Sequence, residues 1–536
     1  MEESVTEYLP GLIAGILIVA TLAAIPLSYL VSRRYTAAVA RTMRQGEKAS
    51  EEHQTLPAPA APPPLQIEIV STSDGKIADS ATELLASLYG QSRSLARIYL
   101  LAGIVYALVA TLILLPANDI PYSVLRIIAV SFVFLWPTVP MIVHVAVARR
   151  SLKIVGPIMF LALALLIGVA IGDGMATGIF LFWAVIMVPP TLMQFAISHR
   201  QIRNIGPFVT ALLAVLLIGL YCTLNLILMV GISANWFVML LFFSGIGAAV
   251  FLAVQLVRWV ARAYAAKRLS DQMLLIDVWW IIYTLWFCVS LANTKGAWGV
   301  ILGLIPLAVA RVTLFAAMRW LRAGTVNRRP TTLLLLRVFG FKKRTQRLLQ
   351  DLGHLWRYVG SIQLIAAPDV AQSALEPHEL LEYASGRLSR AFIKNEQELK
   401  QRLSEIDEAP DPDGRFRVNE LFCHENNWKP ALKQLASSND VVLMDLRGFS
   451  PESSGCIYEI GQLINIIPTS RFLLVTDEST DWPFLEQVLH SSWQQMEAAS
   501  PNRSPGVGKL RVHQILDESP DEIQRLMGSL CESQPR

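Results

Sequence analysis

The sequence predicts two joined folds: an α-helical polytopic membrane domain and a cytosolic α/β domain built on a doubly wound, mostly parallel sheet. Three observations predict it. Hydrophobic residues make up 53% of the 536 residues and charged residues 16%, against about 45–50% and about 25% in soluble globular chains. Apolar stretches long enough to span a bilayer recur through the first three fifths of the chain, and the charges between them alternate. Beyond residue 330, short apolar runs alternate with segments of helical periodicity.

The composition excludes a disordered chain, a collagen and a disulfide scaffold. The net charge of +4 is too small to argue for nucleic acid as a partner. Cys222, Cys288, Cys423, Cys456 and Cys531 have neither metal-ligand nor disulfide spacing.

Nine stretches approach the roughly 20 apolar residues that a span needs: 10–31, 98–115, 127–148, 154–171, 176–197, 208–231, 236–257, 272–292 and 298–318. The first is too long for the apolar core of a signal peptide and reads as a retained anchor, residues 1–31. Arg33 and Arg34 follow the first span, Arg93 and Arg97 precede the second, and Arg149, Arg150 and Lys153 follow the third. Arg200 and Arg203 follow the fifth, Arg258, Arg262, Lys267 and Arg268 the seventh, and Arg319, Arg322, Arg328 and Arg329 the ninth. The opposite loops carry only Arg126 and Lys295, and the N-terminus carries Glu2, Glu3 and Glu7. The positive-inside rule then puts the N-terminus outside and residues 32–97 and 320–536 in the cytosol. The expected location is a plasma membrane, of the bacterial inner-membrane kind given the excess of Arg over Lys.

Residues 32–97 read as a cytosolic linker: a Pro/Ala segment at 56–64, then an amphipathic helix opened by a capping box at Ser80-Ala81-Thr82-Glu83. Residues 98–319 form an eight-helix module. Within it 140–157 aligns without gaps on 190–207, matching Pro140/Pro190, Arg150/Arg200 and Gly156/Gly206, which reads as a duplicated helical hairpin. Asp277 and Arg311 fall at similar depth in the antiparallel eighth and ninth spans. A charge there needs a partner. The pair is either a proton or ion site or one stabilising ion pair, and the lack of further intramembrane carboxylates favours the ion pair.

The domain at 330–536 opens with strands at 331–338 and 361–366, separated by a helix at 344–358. A helix at 377–393 follows, then a turn at Asp411-Pro412-Asp413-Gly414, which lacks the later acidic ligands of a calcium loop. Helices at 428–437, 456–467 and 482–496 alternate with strands at 440–444 and 471–476, and 507–512 is expected as an edge strand.

Ligands of such sheets bind beyond the carboxyl ends of the strands. There stand Phe339 after the first strand, Asp369 after the second, Asp445 and Arg447 after the strand at 440–444, and Asp477 after the strand at 471–476. A small-residue loop ending in Ser454-Gly455 leads into a helix carrying Glu459. Glu459 is expected in the first helical turn, where backbone N–H groups favour its ionised form. A carboxylate so placed can attack or stabilise an oxocarbenium-like sugar C1. Equally, Glu in a first turn is ordinary capping. No GxGxxG or GxxxxGK[ST] occurs, so no dinucleotide cofactor fingerprint or P-loop is present. No HExxH or CxxC occurs, and no metal is implied.

The segment SNDVVLMDL…SSGCIYEIGQL…RFLLVTDE (438–478) resembles the active-site half of two related Rossmann-like families. Ser454-Gly455-Cys456-Ile457-Tyr458-Glu459-Ile460 is similar to the Ser-x-Trp-Cys-x-x-Glu-Leu motif of TIR domains, with Gly in place of Trp. Gly455…Glu459-Ile460-Gly461 is similar to the Gly-x-x-x-Glu-x-Gly motif of nucleoside 2-deoxyribosyltransferases, although Ser453 stands where those enzymes have Asp. The resemblance implies a Rossmann-like domain in which Glu459 is the catalytic carboxylate that cleaves an N-glycosidic bond. It implies NAD or a related nucleotide as substrate rather than cofactor. Asp445, Arg447, Ser454, Gly455, Asp477, Asp369 and Phe339 would line the site. Three functions stay open: a membrane-anchored signalling or defence effector with this activity, a nucleotide- or protein-binding module coupled to a membrane sensor, and a transporter with a regulatory domain. The lipid bilayer, a nucleotide ligand and further copies of the chain in a homo-oligomer are the expected partners.

Overall fold

The computed structural model describes residues 2–43, 62–70, 75–136, 205–230, 235–323, 330–337, 352–353, 355–366, 392–424, 428–504, 509–516 and 520–532, with isolated residues between 138 and 202. The chain forms two compact units. One joins the start of the chain to residues 91–325, and the other joins residues 35–90 to most of the chain beyond residue 326.

The described helices of the first unit are most of α1 (Glu2–Met43), the later part of α2 (Gly75–Ala117), α3 (Val124–Leu135), α4 (Gly206–Val230), α5 (Asn235–Ala265), α6 (Asp271–Lys295) and α7 (Ala297–Ala323); residues 35–43 and 75–90 of the first two belong to the second unit. Three segments are long and apolar enough to cross a membrane: Arg93–Ala117, Trp236–Ala265 and Ala297–Trp320. The expected spans at 154–171 and 176–197, the duplicated hairpin and much of the span at 127–148 lie outside the described residues. The helix expected from Ser80 begins earlier. α2 starts at Gly75 and runs without a break to Ala117, so Ser80 lies inside it and not at its start.

α2, α3 and α6 meet in an aromatic core. Tyr106 stacks on Trp280 with ring centroids 6.1 Å apart, and Phe134 packs edge-on against Phe287 at 5.4 Å. The polar tips are satisfied: Trp280 Nε1 donates to Thr138 Oγ1 (3.0 Å), and Tyr106 OH pairs with Thr284 Oγ1 (3.1 Å). α6 and α7 form a tight hairpin. A Cβ on Gly299 would fall 2.1 Å from the Leu291 carbonyl oxygen, so only Gly allows the close approach. Across this hairpin Arg311 Nη2 lies 2.7 Å from Asp277 Oδ2, and the Asp277 side chain is buried. Removing one partner strands a buried charge, while removing both does not. Asp277→Asn is therefore expected to lower the yield of folded protein, and added Arg311→Met to recover part of it. Strictly additive effects in that cycle would mean that the two residues do not interact.

The second unit holds one parallel sheet of eight strands. The strands are β1 (Gln66–Val70), β2 (Leu333–Arg337), β3 (Ile362–Ala366), β4 (Phe392–Ile393), β5 (Val418–Cys423), β6 (Val441–Asp445), β7 (Phe472–Thr476) and β8 (Lys509–Gln514). Their order is β1-β8-β7-β6-β2-β3-β5-β4. Between them run α8 (Glu396–Ser404), α9 (Trp428–Ser438), α10 (Ser454–Ile466) and α11 (Trp482–Gln494), and α12 (Pro520–Glu532) comes after β8. The central strands are apolar on both sides, as a parallel sheet covered on both faces requires. Leu334, Leu336, Val442 and Met444 pack with α9, α10 and α11. Leu333, Leu335, Val441 and Leu443 pack with Trp356 and with Ile523, Leu526, Met527 and Leu530 of α12.

Three expectations change here. Residues 392–393 are strand rather than the end of a helix. β8 is interior, because β1 flanks it in register from Gln66↔Lys509 to Val70↔His513. And 32–97 is more than a linker, since it supplies that edge strand. Trp493 Nε1 donates to the Pro63 carbonyl (2.6 Å), holding the approach to β1. Because β1 and β8 share one sheet, residues 66–70 and 509–514 lie on the same side of any membrane that the helices between them cross.

The turn expected at 411–414 is present: the Gly414 N–H donates to the Asp411 carbonyl (2.9 Å). Its acids hold arginines, Asp413 with Arg415 (3.3 Å) and Asp411 with Arg417 (2.8 Å), which is turn chemistry and not a cation loop.

Candidate functional site

From β2 the C-terminal segment extends the sheet in one direction through β3 and β5, with β4, which precedes β5 in the chain, added outside it. The chain then returns to β6 on the other flank of β2 and proceeds outward through β7 and β8. The reversal falls between β2 and β6, and in open α/β sheets the ligand crevice opens at the carboxyl ends of the strands at such a point. Those ends are Arg337 and Asp445, direct neighbours in the register.

Local sequence shapes the connection after β6. Leu446 to Phe449 form a turn closed by the Phe449 N–H on the Leu446 carbonyl (3.0 Å). Gly448 takes φ +72°, a left-handed conformation that favours glycine. Phe449 is buried and stacks on Phe484 at 5.6 Å. The turn folds Arg447 back onto Asp445. Its Nε lies 2.8 Å from Oδ1 and its Nη2 2.8 Å from Oδ2, with both side chains buried. These two sequence-predicted residues are therefore brought together, but each other's charge occupies them.

α10 begins at Ser454, two residues before the expected start, so Glu459 lies in the second turn and no acid lies in the first. The helix-start N–H groups do not set its charge. Glu459 is 3% exposed, and its Oε2 has no hydrogen-bond partner among the described residues. Burial pushes its carboxyl from 4.5 up to about 8; a hydrogen bond from Cys456 and the charge of Arg337 oppose the rise without cancelling it. The expectation of a favoured carboxylate is thus reversed: at neutral pH this group is mostly protonated in the ligand-free protein.

Cys456 and Arg337 complete the cluster. Cys456 Sγ lies 3.6 Å from the Arg337 carbonyl, joining the first turn of α10 to the end of β2, and both side chains are buried. Sequence reasoning gives neither a role. Signals for them exist: Arg337 is the one charge closing an all-leucine strand, and Cys456 stands three residues before Glu459, one turn away on the same helix face.

Of the remaining sequence-predicted residues, Ser454, Gly455 and Asp477 are described. Ser454 and Gly455 are the first two residues of α10. Asp477, after β7, folds into its own turn, accepting from the Ser479 N–H (2.9 Å) while its own N–H donates to Thr480 Oγ1 (3.1 Å). Phe339 and Asp369 lie outside the described residues, as do 338–350 and 367–391, the segments that leave β2 and β3.

A second polar cluster has no counterpart in the sequence motifs. Ser529 Oγ is 3.3 Å from His513 Nδ1, and His513 Nε2 is 2.8 Å from Glu522 Oε1, while Arg525 also reaches Glu522. Burial raises the Glu522 carboxyl, but the hydrogen bonds from His513 and Arg525 outweigh it and leave the group below its ordinary value. The Ser–His–Glu contacts resemble a nucleophilic triad only in composition. Ser529 and Glu522 are each 1% exposed, and Ser529 also donates to the Arg525 carbonyl (3.2 Å), so the cluster pins α12 to β8. Among the described residues no cluster of His, Cys, Asp and Glu is suited to a metal ion. No protein-family model matches this chain, and no curated protein matches it.

Proposed function

We propose that the protein is a membrane-anchored signalling or defence effector whose cytosolic Rossmann-like domain cleaves an N-glycosidic bond in NAD or a related nucleotide, with Glu459 as the catalytic carboxylate. The observation that carries the reading is Glu459 itself, a buried carboxyl with a raised pKa and one oxygen unpartnered among the described residues, beside the point where the strand order reverses. Setting aside the edge strands β1 and β4, the order from β5 to β8 reads third-second-first-fourth-fifth-sixth, which is the dinucleotide-binding arrangement of doubly wound sheets. The resemblance to TIR domains and nucleoside 2-deoxyribosyltransferases at 453–463 assigns the same residue.

The raised pKa fits a cationic substrate. A pyridinium ring entering the crevice places a positive charge near Glu459 and stabilises its carboxylate. That carboxylate then stabilises, or bonds to, the sugar C1 as the base departs with the electrons of the glycosidic bond. Water completes the hydrolysis. The test is turnover of NAD and of nucleosides by the full protein in detergent and in lipid. A protein that binds a nucleotide without consuming it in either setting would transfer the proposal to the second reading, a binding module coupled to a membrane sensor.

The membrane part is proposed to have nine spans, with the N-terminus outside and the α/β domain in the cytosol of a plasma membrane. The pairing of β1 with β8 requires an even number of crossings between them, and the eight segments at 98–319 supply one. Cysteine labelling from outside is expected to reach a Cys placed at Asn118 and to miss one placed at Arg328. Labelling at Arg328 in intact cells would remove the nine-span arrangement.

A further inference from the structure

Within the helical unit, a cavity of about 460 Å³ opens between the end of α5, the turn that follows it and α7. Its polar lining is Arg262 of α5, Arg268 of the connecting turn and Arg311 of α7, with Trp259 and Leu269 as its main apolar wall. Among the described lining residues none is a carboxylate. Asp277 holds Arg311 at 2.7 Å. The described lining thus sets three arginines against that one acid.

The arginines are carried on fixed backbone. The α5–α6 connection closes as a Schellman motif: the Arg268 N–H donates to the Ala263 carbonyl (2.8 Å) and the Lys267 N–H to the Tyr264 carbonyl (3.1 Å). Lys267 takes the left-handed position at φ 56°, where glycine is usual. Holding a side-chain-bearing residue there costs about 1 kcal/mol or more, and such strain tends to mark functional turns. Ser270 then caps α6, accepting from the Met273 N–H (3.1 Å). Arg262 is oriented by its own Nε, which donates to the Arg258 carbonyl (3.2 Å). Arg262 and Arg268 are exposed residues that line the cavity.

Planar guanidinium forks grouped in this way recognise phosphate oxygens. The position matters too. α5 supplies a segment apolar enough to span a bilayer, Trp236–Ala265, and Arg262 and Arg268 stand at its end, the depth at which headgroups lie. Basic pockets between membrane helices bind anionic headgroups. The geometry points to a binding site for the phosphate of an anionic membrane lipid, clasped by Arg262, Arg268 and Arg311 with Trp259 against its glycerol and upper acyl chain. The chemistry is shared with soluble phosphate esters, and the experiment separates the two.

The full protein in a neutral maltoside detergent is titrated with phosphatidylglycerol, phosphatidylcholine and pyrophosphate, and binding is read by native mass spectrometry and thermal unfolding. Phosphatidylglycerol is expected to bind and raise the melting temperature where phosphatidylcholine at equal concentration does not. Arg262→Gln with Arg268→Gln, which leaves the Asp277–Arg311 pair intact, is expected to weaken that binding by about tenfold or more per arginine. Arg126→Gln, outside the cavity, is expected to change nothing. Pyrophosphate binding that is lost in the double variant, without a lipid preference, would keep the phosphate site and make its ligand soluble. Equal binding of the two lipids with no pyrophosphate binding would overturn the proposal, as would a double variant that binds phosphatidylglycerol like the wild type. If the double variant fails to fold, Arg262→Lys with Arg268→Lys replaces it. That pair keeps the charge but not the fork, and unchanged phosphatidylglycerol affinity would equally overturn the proposal.

Discussion

Glu459→Gln is expected to lower turnover of NAD or a nucleoside by about a hundredfold to a thousandfold or more, because an amide supplies no negative charge to a developing cation. The same change is expected to make the domain more stable at alkaline pH. The folded carboxyl titrates near 8 and the unfolded one near 4.5. Between those values the folded state holds a proton that the unfolded state has released, so wild-type stability falls as pH rises from about 4.5 to 8 and is level above that. At about 1.4 kcal/mol per pKa unit the fall is of the order of 4–5 kcal/mol. Gln is neutral throughout and escapes it. The two proteins should melt alike near pH 5, and the variant should melt higher at pH 8 to 9. Activity and stability thus move in opposite directions, which a residue of merely structural value would not produce. In the wild type, kcat/KM should climb with pH toward about 8, since it reports the free enzyme. The limb of kcat should lie lower, where bound cationic substrate has already favoured the carboxylate. A Glu459→Gln variant as active as the wild type would remove the catalytic assignment.

The central strands were legible because a buried parallel strand is a bare apolar run, and β2, β3, β6 and β7 lie within a residue or two of where TTLLLLRV, SIQLIA, DVVLM and RFLLVT place them. β1 was not legible. QIEIV is short, half-exposed and beside a Pro/Ala segment, and its place depends on backbone pairing with β8 far along the chain. Nothing local in either strand encodes that partner. α12 could have been read, since Ile523, Leu526, Met527 and Leu530 recur at helical spacing.

For the site, position was legible and electrostatics was not. Strand ends and the small-residue loop located Glu459. Its ionisation depends on where the helix begins and on how completely the neighbours exclude water, and both are tertiary properties. A start two residues earlier and 3% exposure reverse the expected sign of its pKa shift. The Asp277–Arg311 pair was legible for the opposite reason: two isolated charges at matching positions in adjacent apolar helices have few other ways to be satisfied.

Arg447→Met is expected to destabilise the α/β domain by about 3–5 kcal/mol, because it leaves the Asp445 carboxylate buried without its bidentate partner. For a domain of this size that is a fall of roughly 10 °C in melting temperature. Asp445→Asn alone should cost a similar amount by stranding Arg447. The double variant Asp445→Asn/Arg447→Met should lose clearly less than the sum, since neither charge then remains. The alternative assignment, from strand-end position, makes both residues substrate-binding groups, and kinetics separate the two. If the pair only holds the turn between β6 and α10, the surviving folded protein should keep its KM for NAD, and losses should track the folded fraction. If Arg447 instead binds a phosphate of the substrate, its removal should raise KM by about tenfold or more, the worth of one charge-assisted hydrogen bond. The 2.8 Å contacts from Arg447 to both oxygens of Asp445 favour the first outcome, because a substrate phosphate would have to displace a buried partner already in bidentate geometry. An Arg447→Met protein that melts like the wild type but has lost its affinity for the nucleotide would reverse that assignment and return Arg447 to the site.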